Sequence, residues 1–180
     1  MRSVMPFLAA ALLVPGALLL PAASPANAQT SALKGHNSNA PVDVSADRVE
    51  VQDRADRAVF VGNVHVVQEE LILDTARLTI AYSNGKGGIQ MQRLDASGGV
   101  VVKSPSETAS GNFGTYDLTR KLITLVGNVQ LNRRQSRLNG ARLVIDMTTG
   151  RAVVDGGAPG VNGGGRVSGR FIVPQSGKKQ

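Results

Sequence analysis

The tetrapeptide VGNV occupies residues 61–64 and recurs at residues 126–129, each time within a run that could line a β-strand. The two copies lie 65 residues apart, and the same offset aligns the sequence ARL at residues 76–78 with ARL at residues 141–143 without a gap. A weaker echo, SGGVVV at residues 97–102, falls between them. Repeated units of this kind bury little surface alone but form a continuous core when they stack. The repeat therefore predicts a domain built from strand-turn-strand units.

From residue 42 onward, short runs rich in Val, Ile, Leu and Thr alternate with turns of Gly, Asn, Asp and Ser. This pattern is typical of an all-β domain, and no stretch of this region has a helical period with caps. We predict strands near residues 42–51, 57–67, 71–82, 88–95, 98–103, 108–117, 121–131, 136–147, 150–155 and 166–173.

The first 28 residues have the features of a secretory signal peptide. Arg2 precedes an apolar run, and residues 26–28, Ala-Asn-Ala, form a small-residue cleavage pattern. A retained membrane anchor is the alternative, but this run is shorter than the roughly 20 apolar residues of a bilayer span. Pro15 and Gly16 also interrupt it. We expect cleavage after Ala28 and a mature protein outside the cytoplasm.

The rest of the chain is the size of one domain. Residues 29–41 are polar and without a period, so we expect a flexible lead-in. The domain is expected over residues 42–173, with the glycine-rich residues 156–165 as a loop and residues 174–180 as a flexible tail.

Composition excludes several classes of protein. The chain has no cysteine, which rules out disulfides and a lipid attached through an N-terminal cysteine. Its net charge is +7, but aromatic residues make up only 3%, so base-stacking surfaces for nucleic acid are not expected. The basic residues are scattered apart from the RRQSR segment at residues 133–137 and the pair Lys178-Lys179. An anionic partner such as a phosphorylated lipid fits this charge, as does ordinary solvated surface charge.

Side-chain alternation gives each repeat one apolar face and one mixed or polar face. The face that stays apolar in both copies carries Phe60, Val64 and Val66, then Leu78, Ile80 and Tyr82, matched by Leu125, Val129, Leu131, Leu143, Ile145 and Met147. The opposite face of the VGNV strands, with Val59 and Asn63, is expected to point to solvent. Two such stripes facing each other form either a closed core or a groove that accommodates lipid. Gly62 and Gly127 suit a positive φ or a β-bulge.

Catalytic and metal sites find no support in the sequence. His36 falls in the expected lead-in, and His65 falls on the polar strand face. The adjacent Glu69 and Glu70 occupy a turn, whereas paired catalytic carboxylates must converge across a cleft. GKGG at residues 85–88 lacks the strand-loop-helix context of a phosphate-binding loop, so it predicts a hairpin turn. We expect no enzyme activity, no metal and no cofactor.

Four segments together resemble the OstA-like family of periplasmic lipopolysaccharide-transport proteins of Gram-negative bacteria. They are VDVSADRVEV (42–51), AVFVGNVHVVQEELILDTARLTIAY (58–82), GNFGTYDLTRKLITLVGNVQL (111–131) and LNGARLVIDMTTGRAVVDG (138–156). RVSGRFIVPQ (166–175) is similar to the closing strand of the family. The resemblance implies a twisted, V-shaped antiparallel β-jellyroll that is open at both ends.

The resemblance also implies a function in outer-membrane biogenesis. In such a protein the acyl chains of lipid A lie in the apolar interior, and domains stack head to tail with one another, with an LptC-like inner-membrane protein and with an LptD-like outer-membrane protein. The stacking edges here would be residues 42–51 and 166–173. The residues implied for acyl contact are Phe60, Val64, Val66, Leu78, Ile80, Tyr82, Tyr116, Leu125, Val129, Leu131, Leu143, Ile145 and Met147. The alternative is a structural periplasmic scaffold with a closed core and no lipid ligand.

Overall fold

The structure is a computed structural model that describes residues 31, 33–85, 87–157 and 165–172. The expected signal peptide, the expected tail and residues 158–164 of the glycine-rich loop lie outside these residues. The ten strands are β1 Asp43–Ser45, β2 Arg48–Gln52, β3 Arg57–Gln68, β4 Leu71–Gly85, β5 Gly88–Ser104, β6 Glu107–Asp117, β7 Leu122–Arg133, β8 Ser136–Asp146, β9 Arg151–Asp155 and β10 Ser168–Arg170. A single 3₁₀ turn, Asp53–Ala55, joins β2 to β3.

All strand pairs are antiparallel, and consecutive hairpins connect β3 through β8. At one edge of the sheet β1 and β2 both pair with β3, and at the other edge β9 and β10 both pair with β8. The fold is therefore all-β, as the sequence predicts.

Four of the predicted strands differ in detail from those observed. The first expected strand is two short strands, because the ladder with β3 is interrupted at Ala46 and Asp47, opposite Gly62 and Asn63. There the Asp47 backbone N–H donates to the Gly62 carbonyl (2.9 Å). The strands expected at 88–95 and 98–103 are one continuous strand with an irregularity at its centre. The last strand is only three residues long, so the C-terminal edge is shared with β9.

The repeated tetrapeptides are β-bulges. Gly62 and Asn63 have φ of 82° and 45°, and Gly127 and Asn128 have φ of 82° and 48°. Strand register shifts at both places, between Val61 and Val64 and between Val126 and Val129. The left-handed region suits glycine and is tolerated by asparagine more readily than by most residues. The expectation of a positive φ or a bulge at these glycines is thus confirmed.

The weaker echo of the repeat is a third bulge. Gly98 and Gly99 have φ of 86° and 85°, and the register of β5 shifts next to them. The three bulges fall on every second strand, β3, β5 and β7, and form one line across the sheet. Bulges bend a strand and increase its twist, so this line divides the sheet into two leaves.

The first leaf comprises β2, β9 and the parts of β3–β8 that lie on their side of the bulge line, such as residues 57–61 and 122–126. The second leaf comprises β1, β10 and the remaining parts, such as residues 64–68 and 129–133. Leu94, Tyr116 and Leu125 of the first leaf line the same small cavity as Val66 and Leu73 of the second. The two leaves therefore face each other across a shared core.

The bulge line predicts unequal costs for two neighbouring glycines. Gly98→Ala and Gly99→Ala both place a side chain at nearly the same positive φ, which costs about 1–2 kcal/mol. Only at position 98 would the new Cβ meet another group, the Cβ of Ala76 at 2.8 Å, whereas at position 99 no atom lies within 4 Å. We expect Gly98→Ala to lower the free energy of unfolding more than Gly99→Ala, as measured by urea denaturation. Equal losses would mean that close approach to β4 does not matter at this bulge.

Candidate functional site

The interior of the first leaf is made of two rows of side chains that run straight across the sheet. One row consists of Val49, Phe60, Leu78, Ala96, Gly114, Leu125, Leu143 and Val154, each directly opposite the next. The other consists of Val51, Ala58, Ile80, Leu94, Tyr116, Ile123, Ile145 and Ala152. Apart from the Tyr116 hydroxyl, neither row contains a polar side-chain atom. We call these two rows the apolar stripe.

Glycine at position 114 allows the first row to pack. A Cβ there would lie 2.9 Å from Leu125 Cδ2 and 3.0 Å from Val100 Cγ1. The Leu125 side chain therefore covers the backbone of β6, and it is fully buried. Val100 belongs to the second leaf, so this contact also brings the two leaves together.

The sequence-predicted residues lie where alternation placed them. The following are buried in one core cluster: Val64, Val66, Leu78, Ile80, Tyr116, Leu125, Val129, Leu131, Leu143, Ile145 and Met147. Phe60 is half-buried and packs against this cluster, and Tyr82 is half-buried near the free end of β4. Their burial is observed, while their contact with lipid stays a prediction.

One outward prediction is wrong. Val59 lies on the outer face between Glu50 and Thr79, yet only 7% of it is exposed. It is not part of the core cluster, so strand neighbours on the outer face cover it. Asn63 and Asn128 are exposed, as expected.

The space left between the leaves is small. Its cavity measures about 20 Å³ and has an almost wholly apolar lining. A single water needs about 10–15 Å³, and sites for small organic ligands usually measure about 300–1,000 Å³. The interior is therefore closed in this conformation, and an acyl chain would enter only if the leaves or the residues between them moved.

A segment before β1 helps to fill the interior. We call residues 31 and 33–41 the covering segment; they are not the loose lead-in that the sequence suggested. Leu33 is 4% exposed and belongs to the core cluster. The Ser31 backbone N–H donates to the Gly150 carbonyl, and that of Gly35 donates to the Met147 carbonyl at 3.2 Å. These contacts hold the segment against the turn after β8.

The side chain of Gln68 ties the covering segment to the second leaf. Its Nε2 donates to the carbonyl oxygens of Ser38 (3.2 Å) and Ala40 (3.0 Å). Its Oε1 accepts from the Tyr116 hydroxyl at 3.0 Å and lies 3.1 Å from His36 Nε2. Burial raises the pKa of Tyr116, which keeps this hydroxyl protonated. His36, which the sequence placed in a flexible lead-in, therefore has a structural contact with the second leaf.

A buried ion pair lies beside Ser31, at the start of the covering segment. Arg133 Nε donates to Glu107 Oε2 at 2.8 Å, and the two side chains are 14% and 3% exposed. The Ser31 hydroxyl donates to the other carboxylate oxygen of Glu107. Charges this far from water need full pairing, so this group fixes the start of the covering segment to the ends of β6 and β7.

His65, Glu69 and Glu70, which the sequence analysis considered as possible catalytic residues, lie on the outer surface. His65 Nδ1 lies 2.6 Å from Asp74 Oδ1, and Lys103 Nζ donates to Asp74 Oδ2 at 2.8 Å. These hydrogen bonds, that from Lys103 foremost, lower the pKa of Asp74. Glu69 and Glu70 form the turn between β3 and β4, as predicted. In the part of the chain that the structure describes, no three or more His, Cys, Asp or Glu side chains are placed to hold a metal ion.

The described residues also contain no helix long and apolar enough to cross a bilayer.

The apolar stripe is open at the β2 edge. Val49 and Val51 belong to its two rows but are 54% and 60% exposed, because no strand covers them on that side. At the opposite edge, Ala152 and Val154 of β9 are half-buried. The stripe thus runs from a solvent-exposed edge, through the closed interior, to a second partly exposed edge.

Sequence reasoning missed several interior residues. Leu73, Leu94 and Val102 line the cavity and come from strands that the sequence predicts. Ile123 also lines the cavity and lies on the face that alternation identifies as apolar. Leu33 could not be found in this way, because the segment around it has no period.

A protein-family model described as LptA/(LptD N-terminal domain) LPS transport protein matches residues 43–151. The chain belongs to this family. The matched region contains all three bulges and the apolar stripe from β2 to β8, and it confirms the OstA-like resemblance seen in the repeats. The family is one of transport components.

Two further proteins are similar to this LptA-like chain. An uncharacterized protein of Rhizobium meliloti (strain 1021) is 32% identical over 148 residues, covering 78% of this chain and 80% of its own. The crystal structure of LptH, the LptA homologous periplasmic component of the lipopolysaccharide transport device of Pseudomonas aeruginosa, superimposes with a TM-score of 0.66. That comparison has 20% identity and covers 77% of this chain and 99% of LptH. It confirms the jellyroll fold.

The buried ion pair leads to a stability prediction. Glu107→Gln removes the charge that compensates a nearly buried guanidinium, and breaking such pairs costs about 3–5 kcal/mol. The matched control is Glu50→Gln, which removes an exposed carboxylate 3.4 Å from Arg48 and should cost less than about 1 kcal/mol. Chemical denaturation of both variants measures the difference. Similar small losses in both would mean that the Glu107 pair does not stabilise the fold.

Proposed function

We propose that the protein is a periplasmic carrier of lipopolysaccharide, with the acyl chains of lipid A held between the two leaves. The single observation that carries this proposal is the apolar stripe, which continues across eight strands and is exposed at the β2 edge. A closed core has no need of valines that are more than half exposed at its end. A path for a moving acyl chain needs such an exit, because the chain must stay in apolar surroundings as it leaves.

The edges of the sheet support end-to-end assembly. Strands at an edge present unpaired backbone N–H and C=O groups, which pair readily with another sheet. Stacking at β1 and β2, or at β9 and β10, would place the stripe of one domain beside that of the next. In this proposal the neighbours are further copies of the chain, an LptC-like protein at the inner membrane and an LptD-like protein at the outer membrane. The stack would form the bridge between the two membranes.

The proposed location follows from the N-terminal sequence and the family. Residues 1–28 have the order of features that directs export, with cleavage expected after Ala28. LptH, whose structure is similar, is a periplasmic component in its own organism. The proposal includes no catalytic step and no cofactor.

The alternative function is a structural scaffold with no lipid ligand, and the nearly filled interior favours it. The apolar cavity between the leaves, at about 20 Å³, has no room for an acyl chain. The carrier function therefore requires that the interior opens. The covering segment is the element to move, because it belongs to no strand of the sheet and its Leu33 occupies the core directly.

Photo-crosslinking at two phenylalanines separates carrier from scaffold. Replacing Phe60 by the analogue p-benzoylphenylalanine puts a reactive ring on the apolar stripe, at a half-buried position. Phe113 is the matched control: it lies on the outer face, and 58% of it is exposed. We expect lipopolysaccharide adducts in cells from position 60 and not from position 113. Adducts from neither position, in protein that is folded and exported, would support the scaffold.

A second experiment tests whether the covering segment limits lipid entry. Leu33→Ala removes its buried anchor, and Leu33→Met keeps nearly the same volume as the control. We expect faster uptake of lipid A from micelles by the alanine variant, followed in a stopped-flow experiment with a fluorescent acyl chain, and an unchanged rate for the methionine variant. Equal rates in all three proteins would mean that lipid enters without displacing this segment.

A further inference from the structure

A cationic cleft lies on the outer face where β8 pairs with β10. It measures about 530 Å³ and is open to solvent. Three arginines line it: Arg134 from the turn after β7, Arg137 from β8 and Arg170 from β10. The other lining groups are Asn, Gln, Ser and Gly, and none of the described lining residues is acidic. The cleft includes most of the RRQSR segment, the basic cluster that stands out in the sequence.

Two of these arginines are placed against each other by the strand pairing. Arg137 and Arg170 are direct partners in the antiparallel register of β8 and β10. Like charges directly opposite each other destabilise a strand pair. This repulsion destabilises the pairing of β10, which has only three residues, all exposed. An anion between the two guanidinium groups would convert the repulsion into two attractions.

Three exposed arginines outside the cleft have their charge balanced by a neighbouring carboxylate. Arg48, Arg93 and Arg120 each lie within 4 Å of a carboxylate. None of the ion pairs found among the described residues includes Arg134, Arg137 or Arg170. Arg137 Nε instead donates to Asn132 Oδ1 at 2.8 Å, which orients its guanidinium group along the cleft wall.

The groups in the cleft define the ligand chemistry. Guanidinium groups bind phosphate through paired N–H donors. The amide of Asn139 and the hydroxyl of Ser168, 3.4 Å apart, offer donors and acceptors suited to sugar hydroxyls. On the inner face of the same strand pair, Leu138 lies opposite Gly169 and packs against the core. A cationic outer face and an apolar inner face at one edge suit an amphiphile with a phosphorylated head.

We propose that Arg134, Arg137 and Arg170 bind the phosphate of a phosphorylated saccharide, and that this binding fastens β10 to β8. The identification of that saccharide as the headgroup of the carried lipid rests on the proposed function. Bound phosphate would then stabilise one of the two short strands at this edge of the sheet, where a neighbouring domain is proposed to pair. Binding of the carried lipid would thereby be coupled to pairing of a neighbouring domain at this edge.

Backbone hydrogen exchange of residues 168–170 in the full mature chain tests the proposal. The probes are inorganic phosphate, glucosamine 6-phosphate, micellar bisphosphorylated lipid A and the same lipid A without phosphates. We expect roughly tenfold slower exchange with the phosphorylated sugar and the phosphorylated lipid, the effect of one charge-assisted hydrogen bond. Dephosphorylated lipid A should give no such slowing. Inorganic phosphate acting as strongly as the sugar at equal concentration would overturn the saccharide part and leave a free-phosphate site.

Variants distinguish a binding role from a structural role. Arg137→Gln and Arg170→Gln should lose the slowing by phosphate, while Arg77→Gln, an exposed arginine on the same outer face but outside the cleft, should retain it. Without any anion, the first two variants should exchange no faster at β10 than the unmodified chain, because a repulsion is removed. Faster exchange there, or slowing by phosphate that survives both substitutions, would overturn the proposal.

The crosslinking at position 60 keeps the two proposals separate. Adducts from position 60 together with no effect of phosphate on β10 would overturn only the cleft. Phosphate binding at the cleft without adducts from position 60 would keep the anion site and remove its identification with carried lipid.

Discussion

The left-handed backbone at the three bulges is the constraint on which the rest of the structure depends. At each bulge two consecutive residues have positive φ, a conformation that only glycine, and to a lesser degree asparagine, adopts readily. Because the bulges fall on alternate strands at the same level, they turn one antiparallel sheet into two facing leaves. The interior, the stripe and the four short edge strands all follow from that bend. The sequence therefore repeats because the same bend recurs on alternate strands of the sheet.

The bulges also decide which residues could be predicted. On β3 and β7 the apolar face keeps its phase across the bulge, since Phe60 and Val64 are an even number of positions apart and both face inward. On the partner strands the phase breaks: Leu73 and Leu78 are five positions apart, yet both are buried. Strict alternation from Leu78 therefore assigns Ala76 to the inner face, although it is exposed, and omits Leu73. The fold, most of the first leaf and the β3 and β7 parts of the second leaf were predictable, while the other strands of the second leaf required knowledge of where the register shifts.

The covering segment was unpredictable for a different reason. Its order comes from tertiary contacts, namely the amide of Gln68, the carboxylate of Glu107 and the apolar space taken by Leu33. None of these partners is close in sequence, and a short segment without a period gives no local signal. The same contacts explain why the interior is closed. The described interior is made almost entirely of aliphatic side chains, and a leucine from outside the repeats adds to it.

The division of each edge into two short strands has its own consequence. Long, flat edge strands invite pairing with any available strand, and proteins avoid this with short strands, bulges and charges. Here Asp47 separates β1 from β2 beside the bulge at Gly62, and its carboxylate accepts from Asn63 Nδ2 at 2.9 Å. At the other edge, Arg170 places a charge on β10 opposite Arg137. Each edge is thus too short and too charged to pair indiscriminately. In the proposed assembly a partner has to match two strands that meet at a fixed bend, so the bulge line would set specificity as well as shape.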